Sequence, residues 1–203
     1  MYIFGIIYKN YSDGDYMQRK VFMLHEIYGV NDFMKEQTIN FSDDKTVIEC
    51  VALYPEGKVF SYKQEEEAYA YFTKEVGFDA PLKQLSQQMN AAIAQYEEVV
   101  LIGFSVGATL AWRLSTLPLH RVICVYGSRI RHYLDVQPSC PTLVLLPSHE
   151  KSFDVHNLKN VLKHIHFVKT MQFVGEHGFM DERNRAFHLE STLQARTHIK
   201  QFM

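Results

Sequence analysis

The sequence predicts a three-layer α/β fold, in which helices cover both faces of a mostly parallel central sheet. Short apolar runs alternate with longer helical patterns along the 203 residues, which is typical of right-handed βαβ units. Several runs are continuously apolar and rich in Val and Ile, as expected for strands buried on both faces of a parallel sheet. No internal repeat or low-complexity segment divides the chain, so we expect a single domain over residues 1–203.

Seven segments are predicted to be strands because they are short, apolar and bounded by polar or turn-forming residues. They are IFGIIY (3–8), VFMLH (21–25), TVIECVAL (46–53), EVVLIGF (98–104), VICVYG (122–127), TLVLL (142–146) and VKTMQFV (168–174). Ligands of such sheets bind beyond the carboxyl ends of the strands. The polar residues that directly follow each strand are therefore the candidates for function.

Helices are predicted where apolar side chains recur at i, i+3 and i+7. The apolar positions are Tyr69, Phe72 and Val76 in the first helix, Leu82, Leu85, Met89, Ala92 and Tyr96 in the second, and Ala186, Leu189 and Leu193 in the last. Gly77 ends the first helix, and the acidic residues 65–67 form its solvated side. Pro81 suits the first turn of the second helix, and Asp181 is the candidate N-cap of the last.

Composition and charge exclude several classes of protein. With 21 Lys+Arg against 23 Asp+Glu and no long basic run, the chain does not resemble a nucleic-acid binder. No run approaches the roughly 18 apolar residues of a membrane span, and the N-terminal segment lacks the features of a signal peptide. Cys50, Cys124 and Cys140 lie in apolar stretches and are predicted to be reduced core residues. We therefore expect a cytoplasmic protein without membrane association.

The strongest functional signal is the G-x-S-x-G sequence from Gly103 to Gly107, placed between a buried strand and a helix. A sharp strand-to-helix turn would strain the backbone of Ser105 and raise its hydroxyl into the cleft. Side chains at 103 or 107 would collide with the neighbouring strand or helix. At a helix N-terminus, backbone N–H groups and the helix dipole favour an oxyanion. Ser105 is thus the candidate nucleophile, the alternative being a serine that only caps the helix.

A serine nucleophile needs an imidazole base and an acid that orients it. Where this motif is catalytic, the chain order is Ser, acid, His, with the base after the last strand. His177 fits this position, between Gly175 and Gly178 in the sequence GEHGF. The less suitable histidines lie on helices or beside strands: His120, His164, His166, His188 and His198. The H-x-H pair 164/166 lacks an evident third ligand, so we expect no metal site.

Two carboxylates compete for the role of the acid after the strand at 142–146. Glu150 lies on the first turn beyond the strand, within reach of the histidine loop. Asp154 is four residues further and suits the N-cap of the helix that follows. The spacing favours Glu150, with Asp154 as the alternative.

An oxyanion hole needs two donors. One is the backbone N–H of Val106, and the other is expected from the loop after an early strand, where the N–H of Ile27 is the natural candidate. Glu26 and Tyr28 of the same loop are candidate substrate-binding residues. Alternatively, they are ordinary polar loop residues beside a turn at Gly29.

Together these motifs resemble the dienelactone hydrolase family of α/β-hydrolases, from about residue 21 to the final helix. The motifs that carry the resemblance are HEIYG (25–29), ALYPEG (52–57) with the EEEAYAYF helix, GFSVG (103–107), the strand and turn at 141–150, and EHGF (176–179). The resemblance implies an α/β-hydrolase fold, and it aligns Glu150 with the catalytic Asp of the family.

The chain also departs from the best-known members of this family. Those members carry Cys where this chain has Ser105, and in them a Glu corresponding to Glu26 interacts with the resting thiol. They also have an Arg after the His that helps to hold a substrate carboxylate. The matching position here is Asp181, and Arg183 is the nearest cation. The resemblance therefore does not imply an acidic lactone as substrate.

The sequence predicts a serine hydrolase that cleaves a small carboxylic ester, lactone or thioester through an acyl-serine intermediate. Ser105, Glu150 and His177 are the predicted catalytic residues, and no cofactor is expected. No long insertion precedes the acid loop to form a lid, so we expect an open cleft. A monomer or weak dimer is expected, without nucleic-acid partners. The alternatives are a hydrolase-fold binding protein with an imperfect triad, or an acyltransferase or peptidase with the same nucleophile.

Overall fold

A parallel sheet forms the centre of the computed structural model, which describes residues 19–203. Its strands are β1 (Arg19–Leu24), β2 (Thr46–Val51), β3 (Glu98–Phe104), β4 (Arg121–Val125), β5 (Thr142–Pro147) and β6 (Val168–Phe173). Within the described residues they pair in the order β2-β1-β3-β4-β5-β6, and every neighbouring pair is parallel. These six strands confirm the predictions from residue 21 onward, whereas the strand predicted at 3–8 lies outside the described residues.

Helices pack on both faces of the sheet. The α-helices of the described residues are α1 (Asp32–Phe41), α2 (Glu65–Tyr71), α3 (Asp79–Ile93), α4 (Val106–Leu114), α5 (Val155–Leu162) and α6 (Leu189–Phe202). Side chains of β1 alternate between two core layers, because successive residues of a strand face opposite sides. Phe22 and Leu24 join the layer that contains α3, α4 and α5. Val21 and Met23 join the layer that contains α1 and α6. The three-layer α/β prediction is confirmed.

The order of the strands determines where a site can form. From β1 the chain passes to β2 on one side and then returns to β3 on the other side of β1. The loops that follow β1 and β3 therefore diverge at the carboxyl edge of the sheet, which creates a crevice between them. The candidate nucleophile follows β3, and the candidate oxyanion loop follows β1.

The predicted start of the last helix is wrong. Helix α6 begins at Leu189, and the side chain of His188 caps it by accepting the Ser191 N–H at 3.2 Å. Asp181 is not the cap, because it is buried eight residues earlier and accepts a hydrogen bond from the Tyr62 hydroxyl.

The predicted apolar stripe of this helix is also wrong. Leu189 and Leu193 are 59% and 54% exposed. The face of α6 that meets the core carries small and mixed side chains instead, namely Ser191, Thr192, Ala195 and Ile199. The predicted apolar spacing therefore corresponds to the outward face of the helix, because half of the buried residues on the inward face are polar.

The two earlier helical predictions are confirmed in part. Helix α2 continues as a π-helical turn over Phe72–Val76 and ends at Gly77, whose φ is +64°. Phe72 is fully buried, but Tyr69 is exposed. Helix α3 ends at Ile93, so the predicted position Tyr96 lies beyond it.

The three cysteines are free thiols, and Cys124 and Cys140 are buried as predicted, whereas Cys50 is only partly buried. Among the described residues, no helix is both long enough and apolar enough to cross a membrane.

Candidate active site

Ser105 occupies the sharp turn between β3 and α4. Its φ is +54° and its ψ is −112°, a conformation that non-glycine residues rarely adopt. The turn is held by two backbone hydrogen bonds: the Ser105 N–H donates to the Val125 carbonyl at 3.0 Å, and the Ser105 carbonyl accepts the Thr109 N–H at 3.2 Å. Backbone strain of this kind costs roughly 1–3 kcal/mol and persists only where the surroundings enforce it.

The two glycines of the motif are required by close backbone approaches. A Cβ on Gly103 would lie 2.1 Å from the carbonyl oxygen of Gly107. A Cβ on Gly107 would lie 2.5 Å from the carbonyl oxygen of Leu24, at the end of β1. The predicted crowding is confirmed, and it brings the first turn of α4 against the strand that precedes the candidate oxyanion loop.

The structure brings Ser105, His177 and Glu150 into one chain of hydrogen bonds. His177 lies after β6, and its Nε2 is 2.8 Å from Ser105 Oγ. Its Nδ1 is 2.7 Å from Glu150 Oε1, beyond β5. The two loops are joined through Gly175, whose N–H donates to the Ser148 hydroxyl oxygen at 3.1 Å. Three residues from three strand ends thus meet at the carboxyl edge of the sheet.

Asp154, the alternative acid, lies elsewhere. Its side chain accepts the N–H groups of His156 and Asn157 at 2.8 and 3.3 Å, and so caps the N-terminus of α5. The geometry therefore favours Glu150 as the partner of His177.

The electrostatic surroundings of His177 favour its protonated form. Burial lowers the pKa of the imidazole, but the hydrogen bond and charge of Glu150 oppose this effect. The negative charges of Glu26 and Glu65 act in the same direction as Glu150, and the pKa of His177 is raised above its ordinary value.

A cavity of about 350 Å³ opens beside Ser105. The loop after β1 contributes Glu26, Ile27 and Tyr28 to its wall, and α4 contributes Val106. Val106 is the first residue of α4, so its N–H has no partner within the helix. The candidate oxyanion donors and the candidate substrate-binding residues therefore surround one cavity.

Glu26 is a buried acid in this wall, with only 3% of its surface exposed. Burial raises its pKa to about 7, although the charge of His177 and the Tyr126 hydroxyl lower it and Asp181 raises it further. Within residues 19–203, its Oε1 atom has no hydrogen-bond partner. A buried carboxylate without full hydrogen bonding is unfavourable. The folded protein therefore binds the carboxyl proton of Glu26 more tightly than the unfolded chain does.

Substitution of Glu26 by Gln is expected to change how stability depends on pH. Stabilisation by the protonated Glu26 is complete below about pH 4.5 and is lost as the pH rises through about 7. This loss amounts to about 3 kcal/mol for a pKa shift of this size, and Glu26→Gln removes it. Urea unfolding of both proteins at pH 5 and pH 8 measures the difference. Identical pH dependence of the two unfolding free energies would contradict a raised pKa of Glu26 in the folded protein.

Three basic residues at the cavity were missed by the sequence analysis: Arg129, Lys151 and Arg185. Arg129 donates a hydrogen bond to the hydroxyl of Tyr69. It belongs to the segment after β4. The rule that polar residues after a strand end are candidates for function could therefore have identified it. Arg183 is the cation nearest in sequence to the position of the substrate-binding Arg in the best-known members of the resembled family. It does not line the cavity and instead pairs with Glu36.

Comparison with known proteins identifies a matching family. The model of the dienelactone hydrolase family matches residues 9–203. The uncharacterized protein YczH of Bacillus subtilis (strain 168) is 38% identical over 165 residues, which cover 78% of this chain and 79% of that protein.

Solved structures share the fold at low sequence identity. The dienelactone hydrolase-like promiscuous phosphotriesterase P91 from metagenomic libraries matches with a TM-score of 0.69 and 16% identity, over 91% of this chain and 84% of that one. Est1E of Butyrivibrio proteoclasticus, solved with ferulic acid bound, matches with a TM-score of 0.67 and 9% identity, over 94% and 90% of the two chains. Both likenesses show the α/β-hydrolase fold.

Proposed function

Since this chain belongs to the dienelactone hydrolase family and is an α/β-hydrolase that acts on ester bonds, we propose that Ser105 is its nucleophile. The substrate is a small carboxylic ester, lactone or thioester, and the reaction passes through an acyl-serine intermediate. The observation that carries this proposal is the continuous hydrogen-bond chain from Glu150 through His177 to Ser105.

In the first step, Ser105 Oγ attacks the carbonyl carbon and its proton moves to His177 Nε2. The geometry suits this transfer because the two atoms are 2.8 Å apart. Glu150 accepts a hydrogen bond from Nδ1–H, which selects the tautomer with a free Nε2 and stabilises the imidazolium that forms. The raised pKa of His177 strengthens it as a base.

The negative charge on the carbonyl oxygen is received by the N–H groups of Ile27 and Val106. Each such donor contributes roughly 2.7–4 kcal/mol to stabilisation of the transition state. Return of the proton from His177 to the leaving oxygen or sulfur produces the acyl-enzyme. Water, activated by the same imidazole, then attacks the acyl carbon and releases Ser105.

The cavity supports a small substrate. Its volume of about 350 Å³ is near the lower end of the range for ligand pockets, roughly 300–1,000 Å³. Its wall combines the aromatic ring of Tyr28 with charged groups such as Arg129 and Glu65. A cytoplasmic enzyme that works without a cofactor, as a monomer or weak dimer, completes the proposal.

Hydrolysis of p-nitrophenyl acetate between pH 5 and pH 9 tests this function. We expect turnover whose kcat/KM falls toward acid pH, because only the neutral imidazole accepts the serine proton. The midpoint is expected above the ordinary histidine value of about 6.5, since the pKa of His177 is raised.

Glu26→Gln is the control for this profile, because Glu26 titrates in the same range. Loss of its negative charge should move the midpoint to lower pH without abolishing the fall of kcat/KM at acid pH.

No turnover of p-nitrophenyl acetate or of a panel of short thioesters and lactones would contradict the proposed function and favour a binding protein.

A further inference from the structure

His25 is a fully buried histidine directly after β1 that the proposed reaction does not use. Its two ring nitrogens hold two different backbone segments. Nε2 is 2.9 Å from the Leu53 nitrogen, beyond β2, and Nδ1 is 2.5 Å from the carbonyl oxygen of Glu26. The ring therefore connects the loop after β1 to the segment after β2.

The partners of His25 determine its tautomer. The Leu53 N–H can only donate, so Nε2 must accept, and the ring proton must reside on Nδ1. Nδ1–H then donates to the Glu26 carbonyl. Burial lowers the pKa of His25 to about 4, so the ring keeps this neutral form at neutral pH.

The carbonyl held by His25 belongs to the same peptide unit as the N–H of Ile27. In a planar trans peptide, the C=O and N–H bonds point in opposite directions. A hydrogen bond that fixes the Glu26 carbonyl toward His25 therefore directs the Ile27 N–H away from His25. Ile27 lines the cavity beside Ser105, where an oxyanion would form.

We propose that His25 is a positioning residue that orients the Ile27 N–H for the oxyanion, an inference that rests on the proposed function. A donor on the carbonyl also polarises the amide, which strengthens its N–H as a hydrogen-bond donor. The Gly29 N–H approaches the same carbonyl oxygen at a longer distance of 3.3 Å.

A second hydrogen bond holds the next peptide of this loop, the one that contains the Ile27 carbonyl. The Tyr54 hydroxyl donates to the Ile27 carbonyl at 2.7 Å, and the ring of Tyr54 packs edge-on against His25 with centroids 4.8 Å apart. Leu53 and Tyr54 both belong to the ALYPEG segment (52–57). Neither residue lines the cavity beside Ser105, so this segment supports the oxyanion loop from the side away from the cavity.

Two substitutions separate the donor role of His25 from its structural role. The amide nitrogen of Asn can replace Nδ1 and keep the bond to Glu26, whereas the amide oxygen of Gln can replace Nε2 and keep only the bond to Leu53. We expect His25→Gln to reduce kcat about 100-fold with KM changed less than about threefold, because oxyanion donors act mainly in the transition state. His25→Asn should lose less than about tenfold in kcat.

His120→Gln is the matched control. The Nδ1 of His120 also accepts a backbone N–H, that of Val99 at 3.1 Å, but at the opposite end of the sheet. This variant should keep full activity. Equal losses of kcat in His25→Asn and His25→Gln would overturn the inference.

A trifluoromethyl ketone supplies a readout that a purely structural role would not change. Ser105 Oγ adds to its carbonyl carbon, the serine proton moves to His177, and the carbonyl oxygen becomes an oxyanion. Affinity for this ketone should fall in His25→Gln by the same factor as kcat/KM. Unchanged affinity would overturn the inference, whereas a wild-type protein without esterase activity would overturn the proposed function itself.

Nitrogen NMR of the unmodified protein tests the same point without any variant. We expect the His25 proton on Nδ1 throughout pH 5.5–8. A proton on Nε2 would overturn the inference even if both variants failed to fold.

Discussion

Replacement of Ser105 or His177 by alanine is expected to reduce kcat by about 10⁶, the loss typical of a nucleophile and base that act as one unit. Ser105→Ala removes the attacking oxygen, and His177→Ala leaves the hydroxyl without the base that lies 2.8 Å away. Steady-state hydrolysis of p-nitrophenyl acetate measures both losses, and thermal unfolding verifies that each variant is folded.

The double variant Ser105→Ala/His177→Ala is the control. Since the two residues serve the same step, it should be no slower than either single variant. Losses that multiply, or a single variant that keeps more than about a tenth of the activity, would contradict a shared role.

Glu150→Gln is expected to reduce kcat by about 10⁴, which is the second largest effect. A neutral amide cannot stabilise the imidazolium as a carboxylate does, and it can present its N–H₂ to Nδ1 and so favour the wrong tautomer. The 2.7 Å contact between Nδ1 and Oε1 is the basis for this expectation.

Asp154→Asn is the matched control, because Asn caps helices about as well as Asp. It should therefore leave both kcat and stability nearly unchanged. Asp154→Ala should reduce the free energy of unfolding by about 1 kcal/mol without affecting kcat, since Asp154 caps α5. Severe loss in Asp154→Asn together with normal activity in Glu150→Gln would show that Glu150 is not the acid.

Much of this fold could be predicted because its signals are local. Strands β3, β4 and β5 are buried on both faces, so their sequences are nearly continuous apolar runs. The turn at Ser105 was predictable for a similar reason, since its two glycines lie within two residues of it and reflect its own crowding.

The predictions that are wrong concern features that depend on contacts between distant segments. The inward face of α6 mixes the polar side chains Ser191 and Thr192 with Ala195 and Ile199, so a rule based on apolar spacing does not identify it. Asp181 could serve as a helix cap by its local sequence, but Tyr62, 119 residues away, binds it in the interior.

The environment of the candidate site was only partly predictable for the same reason. Chain order and the positions of the strand ends predicted His177 and Glu150 as candidate catalytic residues. The pKa of Glu26 is raised mainly by burial, and the charge of Asp181, on a distant loop, raises it further. The proposed role of His25 depends on a contact with Leu53, which is 28 residues away.

Covalent labelling with a fluorophosphonate measures most directly whether Ser105 is an activated nucleophile. Intact-mass and peptide-level spectrometry of the wild-type protein should show one adduct, at Ser105, with labelling that slows strongly in His177→Ala. A protein that stays unlabelled, or an adduct on another serine in place of Ser105, would contradict the assignment of Ser105 as the nucleophile.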